Sequence, residues 1–417
     1  MQRIAILSVH TSPVALPGGK KVGGMNTYVR EIAQEFASRG ITVDIFTRRT
    51  DKQTPYLDTS LGEGVNVVSV TAGSVSPLGT NEIYPHLQQF TAGVIAYTIR
   101  RSLSYDLVFS HYWLSGWVAQ KLKEAWGTPF AQIFHTLGHM KNRIPSVTQP
   151  VSDLRVRTET QTIEWADMIV ANTPAEQAQL LWLYRADRRK LIVCPPGVNI
   201  HRFQPITEQA ARGKLGLPQN ENLLLFAGRI EPLKAVDSII RALNIIKMRQ
   251  PELLERTQFA VIGGDPQDKT DADMLSLRTL TASLGLEDVV SFLGAKNQEE
   301  LATWYAAATT VVMPSEYESF GMVALEAMAM GTPVIASEVG GLAYLVRDNE
   351  TGCLVPSRSP EALADRITHM LTHPAQRQAM GEKAAALAER YAWEIIAQRL
   401  LHGFEDVLSR RRGAYAL

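Results

Sequence analysis

Seven short apolar runs in the first half of the chain and five in the second, each of strand length and most followed by helical periodicity, limit the fold more than any other feature. The first series covers residues 3–9, 42–47, 65–70, 107–110, 130–135, 168–172 and 191–194. The second covers 223–227, 259–263, 289–293, 310–314 and 333–337. Such alternation predicts parallel sheets covered by helices on both faces. At 417 residues the chain is too long for one ordinary core. Between the two series, residues 195–205 hold three prolines and a glycine, the composition of a linker. Two α/β domains follow, at 1–200 and 201–392, with helical periodicity from Pro360 to the end.

Charge excludes some functions. Lys plus Arg and Asp plus Glu number 42 each, so no overall field draws the chain to nucleic acid or to an acidic membrane. Cys194 and Cys353 lie far apart in apolar segments and read as buried reduced thiols, which suits the cytoplasm. Residues 1–10 lack the basic start and the cleavage site of a leader and read as a first strand. No apolar run approaches the roughly 20 residues of a membrane span.

Ligands of doubly wound sheets lie beyond the carboxyl ends of the strands. Three polar clusters fall at such ends: His10, then His111-Tyr112-Trp113, then His135-Thr136 followed by Lys141. Where a dinucleotide enzyme would carry its glycine fingerprint stands Ser8-Val9-His10-Thr11-Ser12-Pro13, and Gly18-Gly19-Lys20-Lys21 lacks the ending of a P-loop. Gly23 and Gly24 still allow a backbone without side chains to come close to a ligand.

In the second series, Arg229 and Lys234 stand five residues apart on the loop after the strand at 223–227. A diphosphate needs such a pair, a guanidinium for paired contacts and an ammonium as a point charge. Glu318 and Glu326, eight residues apart, bracket the start of a helix that Gly321 opens and Gly331-Thr332-Pro333 closes. The amides of Phe320, Gly321 and Met322 then form a helix N-terminus suited to a phosphate. Asp271-Ala272-Asp273 has the form of a metal-binding Asp-x-Asp, but it opens a helix, where acidic residues act as caps.

Arg229 and Lys234 in Gly-Arg-x4-Lys, with Glu318 and Glu326 about ninety residues on, resemble the retaining glycosyltransferases of family 4. The resemblance extends to Gly-Gly-Met-Asn from residue 23, His-Tyr-Trp-Leu-Ser-Gly from 111, His-Thr-Leu-Gly from 135 and Pro-Pro-Gly-Val-Asn from 195. It implies a GT-B fold, two Rossmann-like doubly wound parallel-sheet domains facing a cleft, with residues 393–417 forming a helix that returns to the first domain. It also implies roles. Arg229 and Lys234 hold the donor diphosphate and Glu326 the ribose hydroxyls; Glu318 and the amides at 320–322 meet the transferred sugar and its phosphate. Gly24 approaches the diphosphate, the base lies near residues 290–296, and His135 stands beside the reacting carbon. No metal or other cofactor is implied; the donor is a UDP-sugar or ADP-sugar.

Lys141, Arg155 and Arg157, with Tyr112 and Thr136, resemble a site for a sugar or polyol phosphate. Two subfamilies are similar: sucrose-phosphate synthases, taking fructose 6-phosphate and UDP-glucose, towards which the reading leans, and the inositol-phosphate N-acetylglucosaminyltransferase of mycothiol synthesis. Both usually keep a lysine where Asn81 stands here. A sugar-nucleotide epimerase or hydrolase would use a donor site without a second sugar pocket, and a non-catalytic binding protein would bind UDP without turnover. The helical segment at 27–39 is of mixed charge, which does not suit stable attachment to a membrane.

Overall fold

The computed structural model describes residues 1–15, 23–144 and 150–415. Two compact units form within one chain. One comprises Met1–Ala15, Gly24–Pro196 and Trp393–Leu417, the other Gly197–Ala392 together with Gly23.

In the first unit, eight strands lie in the order β3-β4-β2-β1-β5-β6-β7-β8. They are β1 (Arg3–Leu7), β2 (Thr42–Arg48), β3 (Leu57–Asp58), β4 (Val65–Val70), β5 (Leu107–His111), β6 (Phe130–Ile133), β7 (Met168–Ala171) and β8 (Leu191–Val193). All pairs are parallel except β3 with β4. The apolar residues of β1, Ile4, Ala5, Ile6 and Leu7, are all fully buried, as a strand covered on both faces requires. The helix Trp393–Tyr415 belongs to this unit, and its Phe404 ring packs 5.9 Å from Phe36 and 5.2 Å from Phe109.

The second unit holds β9 (Asn222–Ala227), β10 (Thr257–Ile262), β11 (Val290–Phe292), β12 (Thr310–Met313), β13 (Val334–Ser337) and β14 (Gly352–Val355), ordered β11-β10-β9-β12-β13-β14 and wholly parallel. Side chains alternate between two cores. Leu223, Leu225 and Ala227 enter one with Val311 and Val334, while Leu224 and Phe226 enter the other with Phe259 and Ile335.

The sequence pattern does not disclose β3, only two half-buried residues long, or β14, where the apolar run is just Cys353-Leu354-Val355. Asp271 caps the helix Ala272–Ser283, its side chain accepting from the Met274 amide. Both cysteines are buried free thiols, and burial pushes the Cys194 thiol up to about 12.

Each sheet changes direction once. In the first the order reverses between β1 and β5, in the second between β9 and β12. At such switch points the loops diverge to opposite faces and leave a crevice at the carboxyl ends. The following loops need close backbone approach. At Gly263, just after β10 and with φ of 146°, an added Cβ would stand 1.8 Å from the Gly228 carbonyl oxygen. Gly127, the left-handed cap of the helix Tyr112–Trp126, has nothing within 4 Å of that position. Gly263→Ala should therefore destabilise by roughly 2–4 kcal/mol through overpacking added to backbone strain, whereas Gly127→Ala should cost about 1 kcal/mol from strain alone. Thermal melts of the two variants beside the parent chain check the ranking.

Candidate functional site

The first crevice is lined from β1, β5 and β6, neighbours in the sheet. His10 follows β1, His111 closes β5, and His135 follows β6 with a left-handed φ of 61°. Tyr112, with φ of 75°, turns back beside His10, their rings 4.4 Å apart. His111 Nδ1 lies 2.9 Å from His135 Nε2, and Tyr28 meets both rings edge-on. The structure thus brings the three histidine clusters together. Trp113 departs from them: it is fully buried and stacks on Tyr84 within the core.

Behind this rim lies a buried polar network that the sequence reading treats only in part. Arg155 is 5% exposed. Its Nε donates to Glu159, Nη1 to the Tyr112 hydroxyl, and Nη2 to the Thr136 carbonyl and hydroxyl. Glu159, fully buried, also accepts from the Gly138 amide and from the Tyr184 hydroxyl. A buried ion pair is tolerated when further hydrogen bonds satisfy both partners, as they do here. The network fixes Tyr112 and Thr136 and anchors the turn at 136–138 onto the helix Asp153–Trp165. Arg157 is not part of it. Two residues along the helix, it faces the opposite way and is exposed, its Nε 3.4 Å from the Asp153 carbonyl.

Lys141 ends the short helix Gly138–Lys141 and is half-buried. Asn81 Oδ1 lies 3.1 Å from the hydroxyl of Ser152, the N-cap of the helix carrying Arg155. Gly24 opens the helix Gly24–Ser38, while Gly18, Gly19, Lys20 and Lys21 lie outside the described residues.

In the second unit the loops after β9 and β12 meet at the switch point. The Glu316 amide donates to the Leu233 carbonyl at 2.9 Å. Lys234 Nζ pairs with Glu318 Oε2 at 2.5 Å, and Arg229, half exposed, pairs with Glu231 at 3.0 Å. The helix Met322–Ala329 starts at Gly321, whose φ of 103° suits glycine, and no side chain caps it. Phe320 is buried, and Glu326 is buried with its Oε2 accepting from the Tyr305 hydroxyl. Before this helix N-terminus Lys234 meets Glu318 beside backbone donors, with Arg229 on the same loop as Lys234, a composition fit for an anion bearing hydroxyl groups.

Sequence reasoning missed how the Glu318 loop is held. The Gly341 amide donates to the Glu318 carbonyl, and a Cβ on Gly340 would come within 2.1 Å of that oxygen. A Cβ on Gly341 would come within 2.1 Å of the Phe320 Cα. The signal was present as a glycine doublet, Gly340-Gly341, shortly after the strand Val334–Ser337. Arg358, which pairs with Glu316 at 2.7 Å, had no such signal.

The comparisons with known proteins decide the family. Residues 22–202 match the model for glycosyltransferase family 4, and residues 207–387 that for glycosyl transferases group 1. The D-inositol 3-phosphate glycosyltransferase of Streptomyces scabiei is 44% identical over 399 residues, 95% of this chain and 89% of the relative. The chain belongs to the family-4 glycosyltransferases. The solved sucrose-phosphate synthase from Thermosynechococcus elongatus superposes with a TM-score of 0.89 at 33% identity, covering 98% of this chain and 100% of that one. The Anabaena protein HepE, solved with UDP and glucose, shares the fold at a TM-score of 0.77 and 20% identity, over 97% of this chain and 100% of its own. This glycosyltransferase therefore has the GT-B fold, with two parallel-sheet α/β units.

Burial makes the first unit sensitive to acid. It holds His111 well below the usual histidine range, with His135 adding to the effect, and it presses His135 down to about 3, with His10 adding there. Both rings are neutral when folded, whereas in the unfolded chain they protonate near pH 6.5. Below that pH the unfolded state binds more protons, so stability falls as pH drops from about 6.5 towards 3. Glu176, pushed up to about 7 by burial, has the opposite sign: its contribution is lost as pH rises from about 4.5 through 7. Melting temperature against pH should lose part of its decline towards acid in His135→Gln, and in Glu176→Gln should lose the fall that Glu176 causes as pH rises from about 4.5 to 7.

Proposed function

We propose that the chain moves a hexosyl unit from a UDP-sugar, with retention at the anomeric carbon, to a phosphorylated polyol or sugar. The observation that carries this reading is the pairing of Lys234 with Glu318 before the uncapped helix start at Gly321, with Arg229 on the same loop as Lys234. In this reading Arg229, Lys234 and the amides at 320–322 hold the diphosphate, Glu318 reads the sugar hydroxyls, and Glu326, steadied by Tyr305, reads the ribose. The solved relative with UDP and glucose supports a UDP-linked donor.

Retention by double displacement needs a free carboxylate nucleophile behind the anomeric carbon. Glu318 is already bound to Lys234, and no motif supplies another. Front-side displacement is the remaining route. The bond from C1 to the β-phosphate oxygen breaks, the acceptor oxygen bonds to C1 on the same face, and its proton passes to the leaving diphosphate. The residues' contribution is to stabilise the departing charge, through Arg229, Lys234 and the helix dipole. These fixed cations do the neutralising that a metal ion does elsewhere, so transfer proceeds in EDTA.

For the acceptor, the relatives at 40–44% identity are named for D-inositol 3-phosphate, against 33% for the sucrose-phosphate synthase, and this favours inositol phosphate. UDP-N-acetylglucosamine is then the donor to try first. The second reading, UDP-glucose with fructose 6-phosphate, is supported by the near-complete superposition on the synthase. In either case Tyr112, Thr136, Lys141 and Arg155 form the acceptor side, Arg155 chiefly by holding Tyr112 and Thr136. Arg157, on the outer face of the helix, contributes long-range charge at most.

A product screen of UDP-N-acetylglucosamine, UDP-glucose and ADP-glucose against D-inositol 3-phosphate and fructose 6-phosphate tests the assignment; turnover of the donor without any acceptor would replace it with a hydrolase or epimerase. Lys234→Ala should lower kcat by about 10²–10³. Undiminished transfer by that variant would overturn the diphosphate site. Asn81→Lys, adding a cation beside the Ser152 cap, should lower KM for the phosphorylated acceptor severalfold and leave donor KM unchanged, as steady-state kinetics with each substrate varied in turn would reveal.

A further inference from the structure

We infer that His111 is a positioning residue for the transfer reaction: it fixes the tautomer of His135, so that His135 offers Nδ1–H as a hydrogen-bond donor. The inference rests on the reading that His135 stands beside the transferred sugar.

Two nitrogens, His111 Nδ1 and His135 Nε2, lie 2.9 Å apart, and the ring planes are within 17° of each other with centroids at 5.2 Å, so the rings meet edge to edge through these nitrogens. One proton lies between them, and either ring can supply it. The other nitrogen of His111 decides. Nε2 is buried and has no hydrogen-bonding partner among the described residues. Phe109, with its centroid 4.3 Å away, and Tyr28, at 5.5 Å, wall the ring.

If His135 donated from Nε2, His111 would have to carry its own proton on this sealed nitrogen, leaving an orphaned buried N–H. If His111 donates from Nδ1, its Nε2 is a bare lone pair. An unsatisfied buried acceptor is tolerated better than an orphaned donor. The second assignment therefore holds: His135 receives at Nε2 and keeps its proton on Nδ1.

That tautomer is the reverse of the one a free imidazole prefers in water, so it needs a partner to hold it. His111 is suited to the task. It is the last residue of β5, fully buried, and cannot turn away. The left-handed backbone at His135 keeps that ring against it, with Tyr28 edge-on at 5.3 Å. Burial keeps both rings neutral, so the relay remains a single directed hydrogen bond. On His135, Nδ1 makes no hydrogen bond among the described residues, and the side chain is half-buried. A neutral ring presenting N–H can donate to a sugar hydroxyl, but through that atom it cannot act as a base. His135 therefore orients and polarises, while the acceptor's proton goes to the leaving diphosphate.

The test is two-bond proton–nitrogen NMR on the full chain labelled with ¹⁵N-histidine, the His135 signals being assigned by their loss in His135→Gln. Nδ1 of His135 should resonate as a protonated nitrogen and Nε2 as a bare one. In His111→Phe the proton should move to Nε2. His111→Asn, whose amide nitrogen stands where Nδ1 stood and can donate, should retain the original pattern. With the substrates found in the screen, His111→Phe should lower kcat roughly tenfold to a hundredfold, the range for losing a partner that fixes a ligand histidine. Donor KM should stay within about twofold, and His111→Asn should recover most of the rate.

A wild-type His135 protonated at Nε2 overturns the proposal, as does a His111→Phe protein with unchanged spectrum or unchanged kcat. If no donor and acceptor react in the wild-type protein, the functional reading fails while the spectra still decide the tautomer. Should His111→Phe not fold, the wild-type and His111→Asn spectra decide alone.

Discussion

Everything in this molecule depends on the need of a parallel strand for cover on both faces. Backbone hydrogen bonds hold each sheet, but apolar faces such as those of β9 stay out of water only if helices pack on either side. Within each sheet the parallel strands, all but β3, then deliver their following loops to one end. Two reversals of strand order, β1 against β5 and β9 against β12, separate the helices at that end. Histidines collect at the first reversal and the Arg229, Lys234 and Glu318 group at the second. The chemistry is thus located by topology before any side chain has been chosen.

The two crevices solve the problem of charge differently. In the first unit one ion pair is internal: Arg155 and Glu159 satisfy one another behind the rim, in front of which stand the uncharged Tyr112, Thr136 and His135, with Lys141 half-buried on the short helix that follows. Their buried pair acts as scaffolding, and losing one partner would leave the other uncompensated in a low-dielectric interior. In the second unit the charges stand at the surface of the site. Arg229 is half exposed, and Lys234 with Glu318 is only partly covered. Such groups can exchange partners when a ligand arrives, because water has access and desolvation costs less.

Much of this was legible in the sequence, for reasons that can be named. Strands covered on both faces are nearly continuous apolar runs, so twelve of the fourteen strands among the described residues could be read directly. The relation of Glu318 to Glu326 followed from helical spacing and the glycine between them. The misjudged points were those where distance along the chain hides proximity. Glu159 meets Tyr184 across 25 residues, and nothing local announces it. Trp113 sits beside Tyr112 in a polar-looking cluster, yet consecutive residues diverge at a helix start, and one enters the core while the other stays at the rim. Arg155 and Arg157 could have been separated on sequence alone, since two residues span about 200° of helix.

The glycine contacts near the second crevice have a further consequence. Gly263 against Gly228, Gly340 against Glu318 and Gly341 against Phe320 are meetings of main chain with main chain, at separations no Cβ could enter. The loops bearing Arg229 and Glu318 are thereby located by backbone, independently of the residues displayed on them. Placement and display are separable properties here. Substitutions among the displayed side chains can alter which ligand is preferred without moving the frame, whereas one methyl group at a doublet would shift every contact together. A protein built this way can diversify its ligands while its architecture stays fixed.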